Sequence, residues 1–255
     1  MATSTYSVPL SDFFGESPAL ATSLALAGLI NTKNGFRGLD LYCASDWKLL
    51  LTPKIHYVIF YDNSATSYTN FTANALDRDD STDVTLGAMT ASDYLYILTP
   101  EVIGGIGINM DASSVNAVTT TLDMEYYKSG TPNTWADVST DSDGTDSSGN
   151  ETGATLGQDG VYTWTAPTDA VELIKTDAVN GIWGFYSIRF SPGATLTAGT
   201  AINGLVSVHK GTNYVTYQAG NTEVLTYDND FVGGLQFISV AGTPALKVGF
   251  IRYKG

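Results

Sequence analysis

Two histidines, His56 and His209, are all the chain offers for imidazole acid–base work. His56 lies inside the apolar run KIHYVIFYD (Lys54–Asp62), and His209 ends the run GLVSVHK. A histidine-activated serine on an α/β hydrolase sheet needs a G-x-S-x-G elbow, which the sequence lacks. P-loop, H-E-x-x-H, zinc-type Cys/His spacing and dinucleotide fingerprint are missing too. Both histidines are therefore read as structural. Carboxylates are better supplied. In DSDGTDSSGNE (Asp141–Glu151), Asp141, Asp143, Asp146 and Glu151 could gather oxygens around a calcium ion. Gly144 comes too early for an EF-hand, and no acid occupies the twelfth place, so the expectation is a solvated loop without metal. DRDDSTD (Asp77–Asp83) is read the same way. A carboxylate pair about 5–10 Å apart across a cleft could cleave a glycoside, but nothing in the sequence selects a pair.

Aromatic residues suggest a different chemistry. Trp135, Trp164 and Trp183 fall in one region of a chain with 15 tyrosines, and such rings could stack on a sugar. Strand aromatics more often pack in a core or across strands, and that is the expectation here. NFT at Asn70 and NET at Asn150 match the N-glycosylation acceptor, which matters only on a eukaryotic secretory route.

The elements that would position these residues are strands. The chain has 255 residues, 43% hydrophobic, enough to build a core. Charged residues are only 15%, with Thr, Ser, Asn and Gly in their place, a composition suited to strands and turns. A net charge of −14 argues against nucleic-acid and anionic-membrane partners, which require basic patches. No apolar run reaches the ~18–20 residues of a spanning helix. ALATSLALAGLI (Ala19–Ile30) is preceded by acids rather than Lys or Arg, so it lacks a signal peptide's basic region. The single Cys43 cannot form an internal disulfide and is read as a small apolar side chain.

Residues 1–35 read as an arm with one short helix, capped by Ser17 with Pro18 at its first position, ending near Gly28. From Phe36 the pattern is strands and turns. TTTLDMEYYK (Thr119–Lys128) sets Leu122, Met124 and Tyr126 against polar neighbours, so one face should be buried. DVTLGAM, GVYTWTAP and GFYSIRFS read alike, and DYLYILT (Asp93–Thr99) reads as a strand opened by a turn Asp and closed before Pro100. GIGINMD (Gly105–Asp111) carries glycines, as expected where another backbone comes close. After Pro192, GLVSVHK, NYVTYQ, TEVLTY, GLQFIS and LKVGFIRY are five more short strands. ASDWKLLLTPKI from Ala44 recurs as ASDYLYILTPEV from Ala91, identical at six of twelve positions. Each copy reads as turn Asp, strand, Thr-Pro stop and new strand, a pattern expected of two equivalent hairpin-like elements.

An ordered set of motifs then stands out: Glu125-Tyr126 with Trp135, Asp143-Gly144-Thr145, Gln158-Asp159-Gly160 with Trp164 and Pro167, and Asn180-Gly181 with Tyr186, Ile188 and Arg189. This order resembles a β-rich module of structural proteins in tailed bacteriophages and related viruses, over about half the chain. The module carries an aromatic just before its Ile-Arg pair; here that place is Ser187, with Trp183 and Phe185 nearby.

The expected fold is all-β, an antiparallel β-sandwich of jelly-roll type. The expected division is an arm over 1–35, a sandwich over 36–191 and a small β subdomain over 192–255. The resemblance implies a virion structural protein, a capsid decoration or minor capsid subunit, without enzymatic activity or cofactor. Its partners would be other virion proteins and copies of itself, a trimer on the strength of the resemblance. It would be made in the host cytoplasm and end in the extracellular particle. The apolar side chains of the arm, among them Phe13, Phe14, Leu24 and Ile30, are expected to dock on a neighbouring subunit. A carbohydrate-binding or tail-associated adhesin is the alternative, and a sandwich-fold glycan hydrolase comes third.

Overall fold

The structure is a computed structural model describing residues 4–6, 28–31, 38–43, 46–77, 81–149, 152–209, 215–218, 220, 222–226, 232–239 and 246–252. The chain opens with β1 (Ser4–Tyr6), β2 (Gly28–Asn31), β3 (Gly38–Cys43) and β4 (Trp47–Pro53). It continues through β5 (Tyr57–Asp62), β6 (Ser67–Asn70), helix α1 (Thr72–Asp77), β7 (Val84–Gly87), β8 (Tyr94–Thr99), β9 (Ile103–Met110), β10 (Leu122–Lys128), β11 (Thr134–Asp137) and β12 (Ser139–Asp143). β13 (Gly160–Thr165), β14 (Tyr186–Pro192) and β15 (Thr200–His209) follow, and then β16 (Val215–Tyr217), β17 (Thr222–Thr226), β18 (Val232–Ser239) and β19 (Leu246–Arg252).

Two compact units result, one from residues 1–54 with 211–255 and one from residues 55–210. The first unit holds two four-stranded antiparallel sheets, ordered β1-β19-β3-β17 and β16-β4-β18-β2. This division differs from the sequence expectation at both boundaries. Residues 200–209, assigned by sequence to a C-terminal subdomain, lie in β15, which pairs with β9 and β7 inside the second unit. Of the expected arm, the described pieces are strands that pair within the chain, β1 with β19 and β2 with β18. Each pairs on one side only, as an edge strand of its sheet. The expected helix start at Ser17 and Pro18 lies outside the described residues, as does the arm's Phe13-Phe14 pair.

The second unit is the sandwich. Its sheets run β11-β10-β14-β8-β5-β6 and β12-β13-β9-β15-β7. Taken in chain order, its pairings have one simple form. β10 pairs with β11, β9 with β13, β8 with β14 and β7 with β15. That is one long antiparallel hairpin, four strands out and four strands back. Rolling it up adds β9 to β15 and β10 to β14. Eight strands so arranged in two sheets are a jelly roll. β5 and β6 extend one sheet, and β12 extends the other.

Alternation decides what lies between the sheets. Leu95 and Ile97 of β8, Leu122 and Met124 of β10, Ile188 and Phe190 of β14 point inward to Ile106 and Ile108 of β9, Trp164 of β13 and Leu205 of β15. Burying each large apolar side chain is worth about 1.5–3 kcal/mol. Gly105 follows its expectation, since a Cβ there would stand 2.5 Å from the Tyr162 carbonyl oxygen. The repeated segments are strands β4 and β8, as their pattern requires, but not hairpins. β4 lies in the first unit and β8 in the second. Neither pairs with the strand after it, because Thr-Pro stands where the chain leaves one sheet for another.

Candidate functional site on the outer face of the six-stranded sheet

The residues that alternate outward on the six-stranded sheet form rows. One row runs Asp137, Glu125, Arg189, Tyr96 and Ile59 across β11, β10, β14, β8 and β5. The next runs from Tyr94 of β8 through Tyr61 of β5 to Tyr68 of β6. Such a face would normally be polar. Here Tyr96, Leu98 and Tyr127 are buried on it, because the segment from Val171 to Phe185 folds back over them. That segment is pinned by hydrogen bonds. Val171 N–H donates to the Tyr127 carbonyl at 3.2 Å, and Leu173 N–H to the Phe185 carbonyl at 2.8 Å. The Tyr127 hydroxyl donates to Asp177, and the Tyr126 hydroxyl to Asp169 at 2.8 Å. A tight two-residue turn reverses the segment. Asn180 and Gly181 both have positive φ, and Val179 and Ile182 exchange N–H···O bonds around them, the form favoured by Asn-Gly.

Arg189 is the centre of the uncovered part. Its Nε donates to Glu125 Oε2 at 2.7 Å, with the two side chains 16% and 21% exposed. Its guanidinium lies 4.0 Å from the Tyr94 ring centroid and 4.3 Å from that of Trp135. Trp135 in turn packs edge-on against Tyr96 and Tyr127 at 5.6 and 5.5 Å. Burial pushes the Tyr96 hydroxyl up, and Arg189 only partly offsets it. Glu125 stands directly opposite Asp137, a like-charge pair that the guanidinium compensates.

A cleft of about 240 Å³ adjoins this face, lined by Thr120, Thr121, Leu122, Asp123, Asp141, Asp143, Asp146 and Tyr162. The Tyr162 hydroxyl donates to the Asp141 carboxylate and lies 3.1 Å from the Leu122 carbonyl oxygen. Burial, then repulsion from Asp137, Glu125 and Asp141, raises the Asp123 carboxyl above its ordinary value. The loop acids otherwise serve the loop. Asp143 accepts from Thr145 N–H at 2.8 Å. The buried Asp146 accepts from the backbone N–H groups of Ser148 and Gly153, both at 2.8 Å. Burial alone would raise Asp146, but these bonds outweigh it and hold the carboxyl low. Among the described residues no group of three His, Cys, Asp or Glu is placed to share a metal ion. Glu151, a candidate ligand by sequence, lies outside the described residues, as do Asp79 and Asp80 of the other acidic run.

The remaining residues singled out by sequence are dispersed. Trp164 is buried between the sheets and donates its Nε1–H to the Ile103 carbonyl at 3.1 Å. Trp183, beside the tight turn, is 54% exposed. Three tryptophans close in sequence are therefore not one platform. The exposed aromatic ground is tyrosine instead, with Tyr61 and Tyr68 at 4.8 Å and Tyr68 41% exposed. Tyr68 belongs to β6, SYTN, whose four residues are too few to show alternation in the sequence. His56 packs on Phe185 at 5.3 Å, and His209 ends β15.

Comparison with protein-family models, curated proteins and solved structures finds no match. Function must therefore be argued from the residues themselves. No helix among the described residues is long and apolar enough to cross a membrane.

Proposed function

We propose that this chain is a virion structural protein, a capsid decoration or minor capsid subunit, that acts through protein–protein assembly and catalyses no reaction. One observation carries the reading: the residues that bear the resemblance to the phage module are the fastenings of the sandwich. Glu125, Trp135 and Arg189 lock three strands of one sheet together. Asp143 and Thr145 close a turn beside the Gly144–Gly160 contact, where a Cβ on Gly160 would meet the Gly144 oxygen at 2.1 Å. Gln158 donates to the Asp146 carbonyl at 2.9 Å, and Asp159 accepts from the Met110 N–H at 2.7 Å. Asn180-Gly181 forms the turn of the covering segment. A motif spent on holding a scaffold suits a protein whose product is a shape. Its partners would be other virion proteins and its own copies, as a trimer by the resemblance, in a particle assembled in the host cytoplasm. The net charge of −14 favours neither nucleic acid nor an anionic membrane as partner.

Co-sedimentation with the particle, followed by its density map, tests this reading. The expected result is stoichiometric association and density for the sandwich on the capsid or its fittings. A chain left in the supernatant would overturn it. A second reading, a glycan-binding module, has one specific support: Asp123 of the acidic cleft belongs to the same sheet as the tyrosines of β8, β5 and β6. Binding on a glycan array that Tyr94→Ala or Asp123→Asn removes, by a chain that never joins the particle, would put that reading first.

A further inference from the structure

We infer that β6 is the edge through which two copies of this chain join, by strand pairing about a two-fold axis. It deepens the assembly reading and rests on it. A sheet edge exposes unpaired N–H and C=O groups, and proteins guard such edges with charge, proline, bulges or cover. The other three edges of the sandwich carry such guards. β12 contains Asp141 and Asp143, Thr140 at positive φ and a shift of register between Ser139 and Ser142. β11 ends in Asp137 and follows Pro132. β7 ends at Gly87, at positive φ, where its pairing with β15 also shifts. β6 is as short as β7 and β11 and follows Thr66 at positive φ, but it carries no charge, proline or register shift. It reads Ser67-Tyr68-Thr69-Asn70, uncharged, regular in register with β5, and exposed at all four residues.

The hydrogen-bond pattern shows which groups are free to pair. Phe71 N–H donates to the Val58 carbonyl at 2.9 Å, in the same register that sets Thr69 opposite Phe60 and Ser67 opposite Asp62. Along an antiparallel ladder the bonded pairs alternate. Thr69 and Ser67 therefore spend their backbone groups on β5, and Tyr68 and Asn70 direct theirs to the open side. A second β6, turned antiparallel, meets these groups when Tyr68 faces the partner's Asn70. That register makes about four backbone hydrogen bonds. It sets Thr69 against the partner's Thr69 on the axis, a non-bonded pair of β-branched hydroxyl residues, which is favourable in sheets. No charge opposes its like across this contact. The nearby Asp62 is already engaged by Ser64 and by the Ala65 N–H.

The test uses the full chain. Wild-type protein is followed by light scattering with rising concentration, beside Tyr68→Pro and Thr69→Lys. Proline is tolerated on an edge where the N–H faces solvent, so Tyr68→Pro should fold and lose the pairing. Thr69→Lys places like charges on the axis. In a Cys43→Ala background, Thr69→Cys should cross-link copies under mild oxidation, because non-bonded pairs lie about 4.5 Å apart between Cα atoms, within disulfide reach. Ser64→Cys is the control that should not cross-link. The expected result is concentration-dependent doubling of mass, lost in both edge variants, with cross-linking at 69 alone. A wild type that never doubles and no cross-link at 69 would overturn the inference, as would an oligomer indifferent to both edge variants. Particle binding by a monomer that Tyr68→Pro abolishes would overturn it too, by assigning the edge to another protein's strand. An edge-dependent dimer that never joins a particle would keep this inference and sink the assembly reading.

Discussion

Replacing Arg189 with methionine should cost the sandwich about 3–4 kcal/mol, far more than a surface ion pair is worth. The figure is built from the contacts. A charge-assisted hydrogen bond to a carboxylate contributes about 1.5–3 kcal/mol, and the Glu125 bond is 2.7 Å long between side chains at most 21% exposed. Each ring contact, to Tyr94 and to Trp135, adds roughly 0.5–1 kcal/mol. Methionine keeps part of the packing and none of the charge, and it leaves Glu125 facing Asp137 without compensation. Glu125→Gln should cost less, about 1 kcal/mol, since it keeps an acceptor for Arg189 and relieves that repulsion. The double-mutant cycle should then give a coupling of about 1.5–2 kcal/mol. Urea unfolding followed by tryptophan fluorescence is the assay, because Trp135 lies on the guanidinium. In a melt the Arg189→Met loss is about 6–16 °C for a domain of this size. A loss below about 1 kcal/mol with coupling below about 0.5 kcal/mol would mean the pair is solvated and the lock imaginary.

Asp93→Ala should destabilise by about 3 kcal/mol in the same assay, because the buried carboxylate accepts from Thr90 N–H at 2.7 Å and Asn63 N–H at 2.9 Å. Gly160→Ala should be worse than any conservative core change, since its Cβ meets backbone rather than a movable side chain, and poor soluble yield is the expected readout. Asp123→Asn should stabilise at neutral pH. The folded state raises this carboxyl, so the penalty is absent below the unfolded value of 3.8, grows as pH rises to the folded value, and is full above it. Melts of variant and wild type should therefore converge in acid. Asp146→Asn should behave oppositely, its loss present at neutral pH and vanishing once pH falls through a folded value below 3.8. A chelator should leave the melting midpoint unchanged, whereas a calcium site held at a hundred times its dissociation constant would add about 2.7 kcal/mol.

Strands that alternate were legible in the sequence. Leu122 and Met124 point inward as their spacing requires, and Trp164 belongs to the core as a strand tryptophan should. What period-two patterns miss is a second burial. Tyr127 falls on the outward side of β10 by alternation, yet it is 1% exposed, because a segment far along the chain lies over it. The same distance hid the lock. Nothing near Glu125 in sequence announces Arg189, and only the strand order makes them neighbours. Ser187 explains itself in three dimensions. It is buried under the covering segment, and Phe185, two residues earlier, supplies the aromatic contact to Tyr57 at 5.3 Å. α1 was passed over because Thr72–Asp77 is six residues long, too short to show a helical period.

The rolled hairpin sets a timetable for synthesis. Its turn-proximal rung, β10 with β11, is complete once residue 137 has appeared, and its distal rung, β7 with β15, waits for residue 200. Ribosomes add about 5–20 residues per second, so β7 and β9 stay without their β15 partner for several seconds. During that interval β9, buried at nearly every position in the finished fold, presents an open edge to any other nascent chain. Contacts so distant in sequence also close slowly, since loop entropy must be overcome before they are rewarded. A chain cut short before Thr200 should accordingly be found in aggregates, and high expression should favour misassembly while the finished protein remains sound.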